Sequence, residues 1–476
     1  MRRFRPRFVC FFGGLLFVCP AQANESIPVQ VDPNVELLSI VFRLAGADEY
    51  NQPKSHSPYS DEVEKHFGPF KDHRAVKMAA QLRSDAGIGF DAVMSYATHL
   101  ASRTLDPKFP FAQSEGSLEK RWSPASATRF LAALKQFAAD SKADGFFAAH
   151  QDFYQKAAER LKAPLASRPF RAWLDGFFGA KPRTKFVATV GLLNGGASYG
   201  VSVHYPDGKE EILPVIGAGE FDAQGLPVFD DRAIPLIAHE FCHSYTNPFV
   251  DQFAGGLLPS AEKIFPYRKA LLARQAYSTP TTMLYESMVR ACTARFAMDN
   301  NTPAAAKAEL ARDVGRGFLW TGELAELLGS YEKKRIEYQS FEDFMPKVVT
   351  FFGSVADSIE TRVGRLPKVV SISPANGDKS ADPATKEIRV EFDRPMRTNS
   401  YAVMGDPTKT PPVAQSAGRA VPPRFLEGRK VFVMPVKLEP GKTYVYALNS
   451  VYRSGFVSAE GLPLDPVEVT FTTALR

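Results

Sequence analysis

The chain has 476 residues, 45% hydrophobic and 23% charged, an ordinary soluble globular composition with room for two or three cored domains. Its formal charge of +6 depends on Arg2, Arg3, Arg5 and Arg7; without them 54 basic residues face 52 acidic ones, a balance of +2. So even a surface gives no electrostatic case for nucleic acid or an anionic membrane as a partner.

In chain order, "MRRFRPR" is followed by the apolar run "FVCFFGGLLFVC" and by "PAQA". That order predicts a signal peptide over residues 1–23, cut after Ala23. The run is short for a bilayer span and no second one follows, so an exported, periplasmic or extracellular protein without an integral membrane segment is expected. Bulky Val18 argues against lipidation at Cys19. Cys10 and Cys19 leave with the leader. Cys242 and Cys292 remain, enough for one bridge but not for a disulfide framework.

The rest predicts an α+β protein: a mostly helical domain with a small sheet over 24–365, then an all-β Ig-like sandwich over 366–476. "IPVQV" begins as a strand. From 59 to 180, segments such as "HRAVKMAAQLRSD" and "SATRFLAALKQFAADS" place apolar residues three and four apart, as helices do. Around Lys185 the texture becomes β-branched and alternating, in "KFVATVGLL" and "YGVSVHYPDGKEEILPVIG", with "PDG" as a hairpin turn. These strands open the second part of the first domain, 185–365. Its further helices are expected over 259–276, 281–299, 303–314 and 320–339. Past Pro367 come short strands broken by Pro, Gly and Asp.

Between the strands and those helices lies "IAHEFCHSYTNP". Residues four apart share a helix face, so His239 and His243 can offer two imidazoles to one Zn2+ while Glu240 reaches a water on it. Asp230 or Asp231 is expected to cap this helix and Asn247-Pro248 to end it. All other histidines precede the motif, and positions 246 and 249 are Thr and Phe, so a third histidine in the HExxHxxGxxH spacing is excluded. A carboxylate must complete a catalytic site. Among Asp251, Glu262, Glu286 and Asp299, Glu286 is preferred because it sits in the otherwise apolar helix "TTMLYESMVRACTARFAM", where an unpaired carboxylate is costly; Asp251 is the runner-up. Arg290, one turn on, either orients Glu286 or forms an ordinary helix ion pair. Cys242 and Cys292 are a candidate disulfide between the two ligand helices. Tyr245, Tyr277, Tyr285 and Arg290 are candidates for stabilising an oxyanion. "GGASYGVSVHY" reads either as an edge strand for an extended substrate or as a hairpin packed on the helices.

"HEFCHSYTNP" followed by "ESMVRACTARF", with "VDPNVELLSIVFRLAG" and "FGPFKDHRAVKMAAQL", resembles the gluzincin-type metallopeptidase family catalogued as domain of unknown function 4932, over about residues 30–355. The resemblance implies zinc ligands His239, His243 and Glu286, with Glu240 as catalytic base. "VVSISPANGD", "KEIRVEFDRPM", "LEPGKTYVYAL" and "VTFTT" resemble bacterial Ig-like domains of surface proteins. The expected activity is zinc-dependent hydrolysis of a peptide or protein substrate, by Glu-assisted attack of a water held on zinc. A zinc hydrolase of another amide, such as cell-wall peptide, and a non-catalytic binding protein are the alternatives. The Ig-like domain is expected to contact the cell surface or another protein.

Overall fold

The computed structural model describes residues 27–52, 55–300, 302–416 and 419–475; the predicted leader, with Cys10 and Cys19, lies outside them. The described chain begins with strand β1 (Val29–Gln30) and a run of helices: α1 (Pro33–Leu44), α2 (Pro58–Phe67), α3 (Arg74–Ala86) and α4 (Asp91–Thr98). The run continues through α5 (Pro124–Asp140), α6 (Ala143–Ala149), α7 (Gln151–Ala166) and α8 (Phe170–Phe178). Their starts are chemically marked. Asp32 accepts from the Asn34 N–H, and Ser57 and Ser123 form capping boxes with Ser60 and Ser126, each box followed by Pro in the first turn.

Five short strands follow: β2 (Thr184–Phe186), β3 (Ala188–Gly191), β4 (Ser202–His204), β5 (Glu210–Ile212) and β6 (Val215–Gly217). They make two small sheets, β1-β3-β6 with parallel neighbours and β2-β5-β4. The β4–β5 pair is the hairpin expected from "PDG", with Gly208 at φ +77 where a side chain is disfavoured. Residues just outside the named strands extend this hairpin, since Tyr199 exchanges both backbone bonds with Val215 and Leu213 N–H donates to Val201 O.

Helices then return as α9 (Ala233–Gln252), α10 (Ala254–Ala273), α11 (Pro280–Asp299), α12 (Pro303–Gly315), α13 (Thr321–Lys333) and α14 (Phe341–Gly364). Helix α11 buries side chains on nearly every side and packs along α9 at the centre of the domain. Two local expectations for α9 fail. Its N-cap is Arg232, whose N–H donates to the Asp230 carboxylate, so neither aspartate caps the helix itself. Nor does Pro248 end it. Proline removes the bond to Ser244 O, and the Lys181 ammonium donates to that freed carbonyl at 3.3 Å, so the helix runs four residues further.

The C-terminal part is all antiparallel sheet: β7 (Val369–Ser373), β8 (Glu387–Phe392), β9 (Val403–Met404), β10 (Gln415–Ser416), β11 (Arg419–Ala420), β12 (Arg424–Phe425), β13 (Val431–Pro435), β14 (Thr443–Leu448) and β15 (Val467–Thr472). Sheets β12-β13-β8-β7 and β15-β14-β9 enclose a core of Ile388, Val390, Phe392, Phe432, Tyr444 and Phe471. Along β8, Ile388, Val390 and Phe392 point in while Arg389 and Glu391 point out, the period of two that the sequence carries. Arg268 on α10 joins the two parts by a bidentate pair with Asp465, both bonds 2.8 Å.

Candidate metal centre

Helix α9 carries His239 and His243 one turn apart, and α11 brings Glu286 opposite them. The two Nε2 atoms lie 3.2 Å apart, and each lies 3.6 Å from a different oxygen of Glu286. Donors bonded to one tetrahedral zinc at about 2.0–2.1 Å stand about 3.4 Å from each other. One ligand atom from each of the three residues lies within 4.8 Å of the others, close enough to share one ion. Two imidazoles and a carboxylate are also a donor set suited to a catalytic divalent ion rather than to a closed structural one. These three residues can hold a metal ion.

The surroundings favour the ligand forms. Burial, then the charges of His243, Arg290 and Arg316, push the His239 pKa well below its usual value, which keeps its imidazole neutral. His243 Nδ1 lies 3.3 Å from Asn247 Oδ1; donating its proton there leaves Nε2 free to face the group. Glu286 is gripped by Arg290, whose Nη2 donates to Oε2 at 2.9 Å. Arg290 also donates to Tyr277 Oη at 3.1 Å and to Asp313 Oδ1 at 2.6 Å, and its guanidinium sits over the Phe318 ring, 4.5 Å from the centroid. Burial works against that charge, but Asp313, Tyr277 and Glu286 overcome it and raise the Arg290 pKa.

Glu240 is buried beside this group. Burial and then the Glu286 charge push its carboxyl well above the usual carboxylate range, opposed by the neighbouring Gly200 N–H and by Arg290. Its proton affinity is therefore high. Gly200 brings the hairpin unusually close: a Cβ there would lie 2.3 Å from Glu240 O and 2.8 Å from His243 Cβ. Because Tyr199 and Val201 bond inward to Val215 and Leu213, the backbone of Gly200 faces outward, toward Glu240. Ser202 Oγ donates to Ser244 Oγ at 3.0 Å and fixes the crossing.

Other candidates fall elsewhere. Tyr245 stacks on Phe178 at 4.9 Å with the Lys181 ammonium over its ring, and as residue 243+2 it points round the helix from the ligands. Tyr285 donates to Asp251, which occupies both residues outside the triangle. Asp299 accepts from Trp173 and Arg295, and Glu262 is exposed. Of the four oxyanion candidates, Tyr277 is the one whose hydroxyl reaches the Arg290–Glu286 pair. Cys242 and Cys292 are both buried free thiols, so the candidate bridge is not formed. Asp313 was not among the sequence candidates. Its signal was the one that marked Glu286: with Ala306, Leu310 and Val314 it forms an otherwise apolar helix face.

The family described as "Domain of unknown function (DUF4932)" matches residues 27–351, and the one described as "Bacterial Ig-like domain" matches residues 364–473. No curated protein matches the chain. Two solved structures are similar: "Structure of surface layer protein SbsC, domains 1-6", 15% identical, covering 83% of this chain and 45% of that one, TM-score 0.16; and "Crystal structure of the S-layer protein rSbsC(31-844)", 16% identical, covering 83% and 46%, TM-score 0.17. The chain thus spans less than half the length of either. At these TM-scores nothing about fold or function follows from them.

Proposed function

We propose that this chain, which belongs to the DUF4932 family over residues 27–351 and ends in a bacterial Ig-like domain, is an exported zinc-dependent hydrolase of peptide bonds. The observation that carries the reading is the triangle of His239, His243 and Glu286 with the buried Glu240 carboxyl beside it. A structural metal site gains nothing from a buried base at that position.

His239, His243 and Glu286 would hold the ion; when bound, zinc supplies a Lewis acid that polarises the scissile carbonyl and acidifies water. Glu240 takes the proton of the attacking water and passes it to the leaving amine. Its raised proton affinity suits uptake of the water's proton, and the nitrogen of the breaking C–N bond, a stronger base than a carboxylate, then takes that proton as it leaves. The Tyr277 hydroxyl, held against Arg290, donates to the oxyanion that forms on the carbonyl. Arg290 itself is committed to Glu286 and Asp313 and acts by keeping the ligand in place. The choice of a peptide bond follows from the resemblance of "HEFCHSYTNP" and "ESMVRACTARF" to metallopeptidases, while Gly200, packed against Glu240 and His243, makes the hairpin a wall of the site. Export rests on the predicted leader and accords with the Ig-like domain.

The test is digestion of a peptide library with and without a chelator, alongside metal analysis. Cleavage that needs the metal and disappears in Glu240→Gln is the expected result. Cleavage that survives the chelator would refute the metal mechanism, and turnover confined to cell-wall peptides or another amide would replace the substrate class.

A further inference from the structure

The turn after α12 has two faces. On one it supplies the metal centre: Asp313 accepts from Arg290, and Phe318 lies under the same guanidinium. On the other it meets the Ig-like domain. Arg268 Nε donates to Gly317 O at 3.3 Å, while its Nη1 and Nη2 donate to the two oxygens of Asp465. Gly315 leaves no room for a side chain, because a Cβ there would lie 2.3 Å from Ser454 Oγ. The turn is closed internally by Phe318 N–H to Asp313 O at 3.0 Å and Gly317 N–H to Val314 O at 3.1 Å. The two faces are thus joined by six residues, 313–318, of bonded backbone.

The charge arrangement makes the contact more than adjacency. The Arg268 side chain is 1% exposed, and Asp465 is the carboxylate that pairs with it. Without Asp465, whose own side chain is 45% exposed, the buried Arg268 guanidinium would lose its paired carboxylate. Arg274 and Glu468 pair across the same boundary at 3.0 Å, but both are exposed and not joined to the turn.

We propose that the Ig-like domain is a working part of the metal site: Asp465, through Arg268 and the turn 313–318, is a positioning residue for Arg290 and so for Glu286. The inference rests on the reading of His239, His243 and Glu286 as metal ligands. It gives the C-terminal domain a role in the chemistry that is independent of anything it binds outside.

The test uses the full chain with Co2+ as probe, reading its visible absorption bands and its affinity by chelator competition. Asp465→Ala is expected to shift the bands and weaken cobalt binding about tenfold or more, the range typical of lost outer partners of a metal ligand. Asp465→Glu should restore much of both, and Glu468→Gln should change neither. If Asp465→Ala does not fold, Asp465→Asn carries the same comparison with the side chain's shape kept. Wild-type affinity and spectrum in the folded Asp465 variant would overturn the proposal, as would equal losses in Glu468→Gln, which would mark general loosening of the boundary. Failure of the unsubstituted protein to take up cobalt would instead overturn the metal site, and this inference with it.

Discussion

Two buried carboxylates on apolar helices face opposite fates. Glu36, on α1, has both oxygens closed: Leu192 N–H donates to one at 3.0 Å, and Tyr59, itself bonded to Tyr154, donates to the other at 3.0 Å. Glu286, on α11, is gripped by Arg290 on one oxygen, while both oxygens also face imidazole nitrogens at 3.6 Å. In the first cluster each donor meets an acceptor and nothing is left over. In the second, two imidazole nitrogens and a carboxylate converge within reach of one point, an arrangement that can hold a metal ion. Burial alone does not mark a site; the sign of the groups turned toward each other does.

The largest blow to that contrast is Glu240→Gln, expected to cut kcat by about 10²–10⁴-fold while metal content stays at the unsubstituted level. Loss of metal in that variant would show that Glu240 supports the ligands instead of acting on water. Next comes Asp313→Ala, which leaves the buried Arg290 charge with Glu286 as its one remaining carboxylate partner among the described residues. A loss of about 3–5 kcal/mol in unfolding free energy is expected by denaturant titration, with weaker metal binding.

The closed cluster should show itself in pH dependence. Burial raises the Glu36 pKa to about 8, so the folded protein keeps a proton that the unfolded chain, near 4.5, releases. This contribution to stability is complete below about pH 4.5 and fades as pH rises toward 8, at no more than about 1.4 kcal/mol per pH unit. Glu36→Gln should flatten that slope and leave metal binding alone. His99 acts from the acid side and over a narrower span. Burial lowers its pKa to about 4, with its ring nitrogens against Ser95 O and Ser117 Oγ, each 2.7 Å away. The unfolded imidazole gains a proton first, so stability is full above about pH 6.5 and is lost as pH falls toward 4. Thermal melts of His99→Gln between pH 7 and 4.5 should lack that decline.

What the sequence makes legible follows from the range of each interaction. His239, Glu240 and His243 share one turn, so spacing alone places them. Glu286 can be picked out because a lone carboxylate among Met283, Val289 and Phe296 demands an explanation. Arg290 supplies part of it one turn away; Asp313, which completes the pairing of Arg290, comes from another helix, and no pattern within α11 names it. The same limit explains Pro248: local rules end the helix there, and a lysine distant in sequence, Lys181, overrides them. Tyr277 stands in the same position, since four hydroxyl or guanidinium groups are equal in sequence and separate only when the chain is folded. Of the Ig-like strands, β7, β8, β13, β14 and β15 carry local turns and alternation and are readable, whereas β9 to β12, two residues each, are too short to leave a pattern.

Cys242 and Cys292 lie on the two helices that hold the ligands, both wholly buried, and burial pushes the Cys292 thiol well above its usual pKa. In the closed protein neither is open to a reagent in water. Alkylation can then proceed only when α9 and α11 part, which makes the pair a reporter of how often the centre opens. The labelling rate should fall when the metal is added and should quicken in Asp313→Ala, giving a clock for the site that requires no substrate.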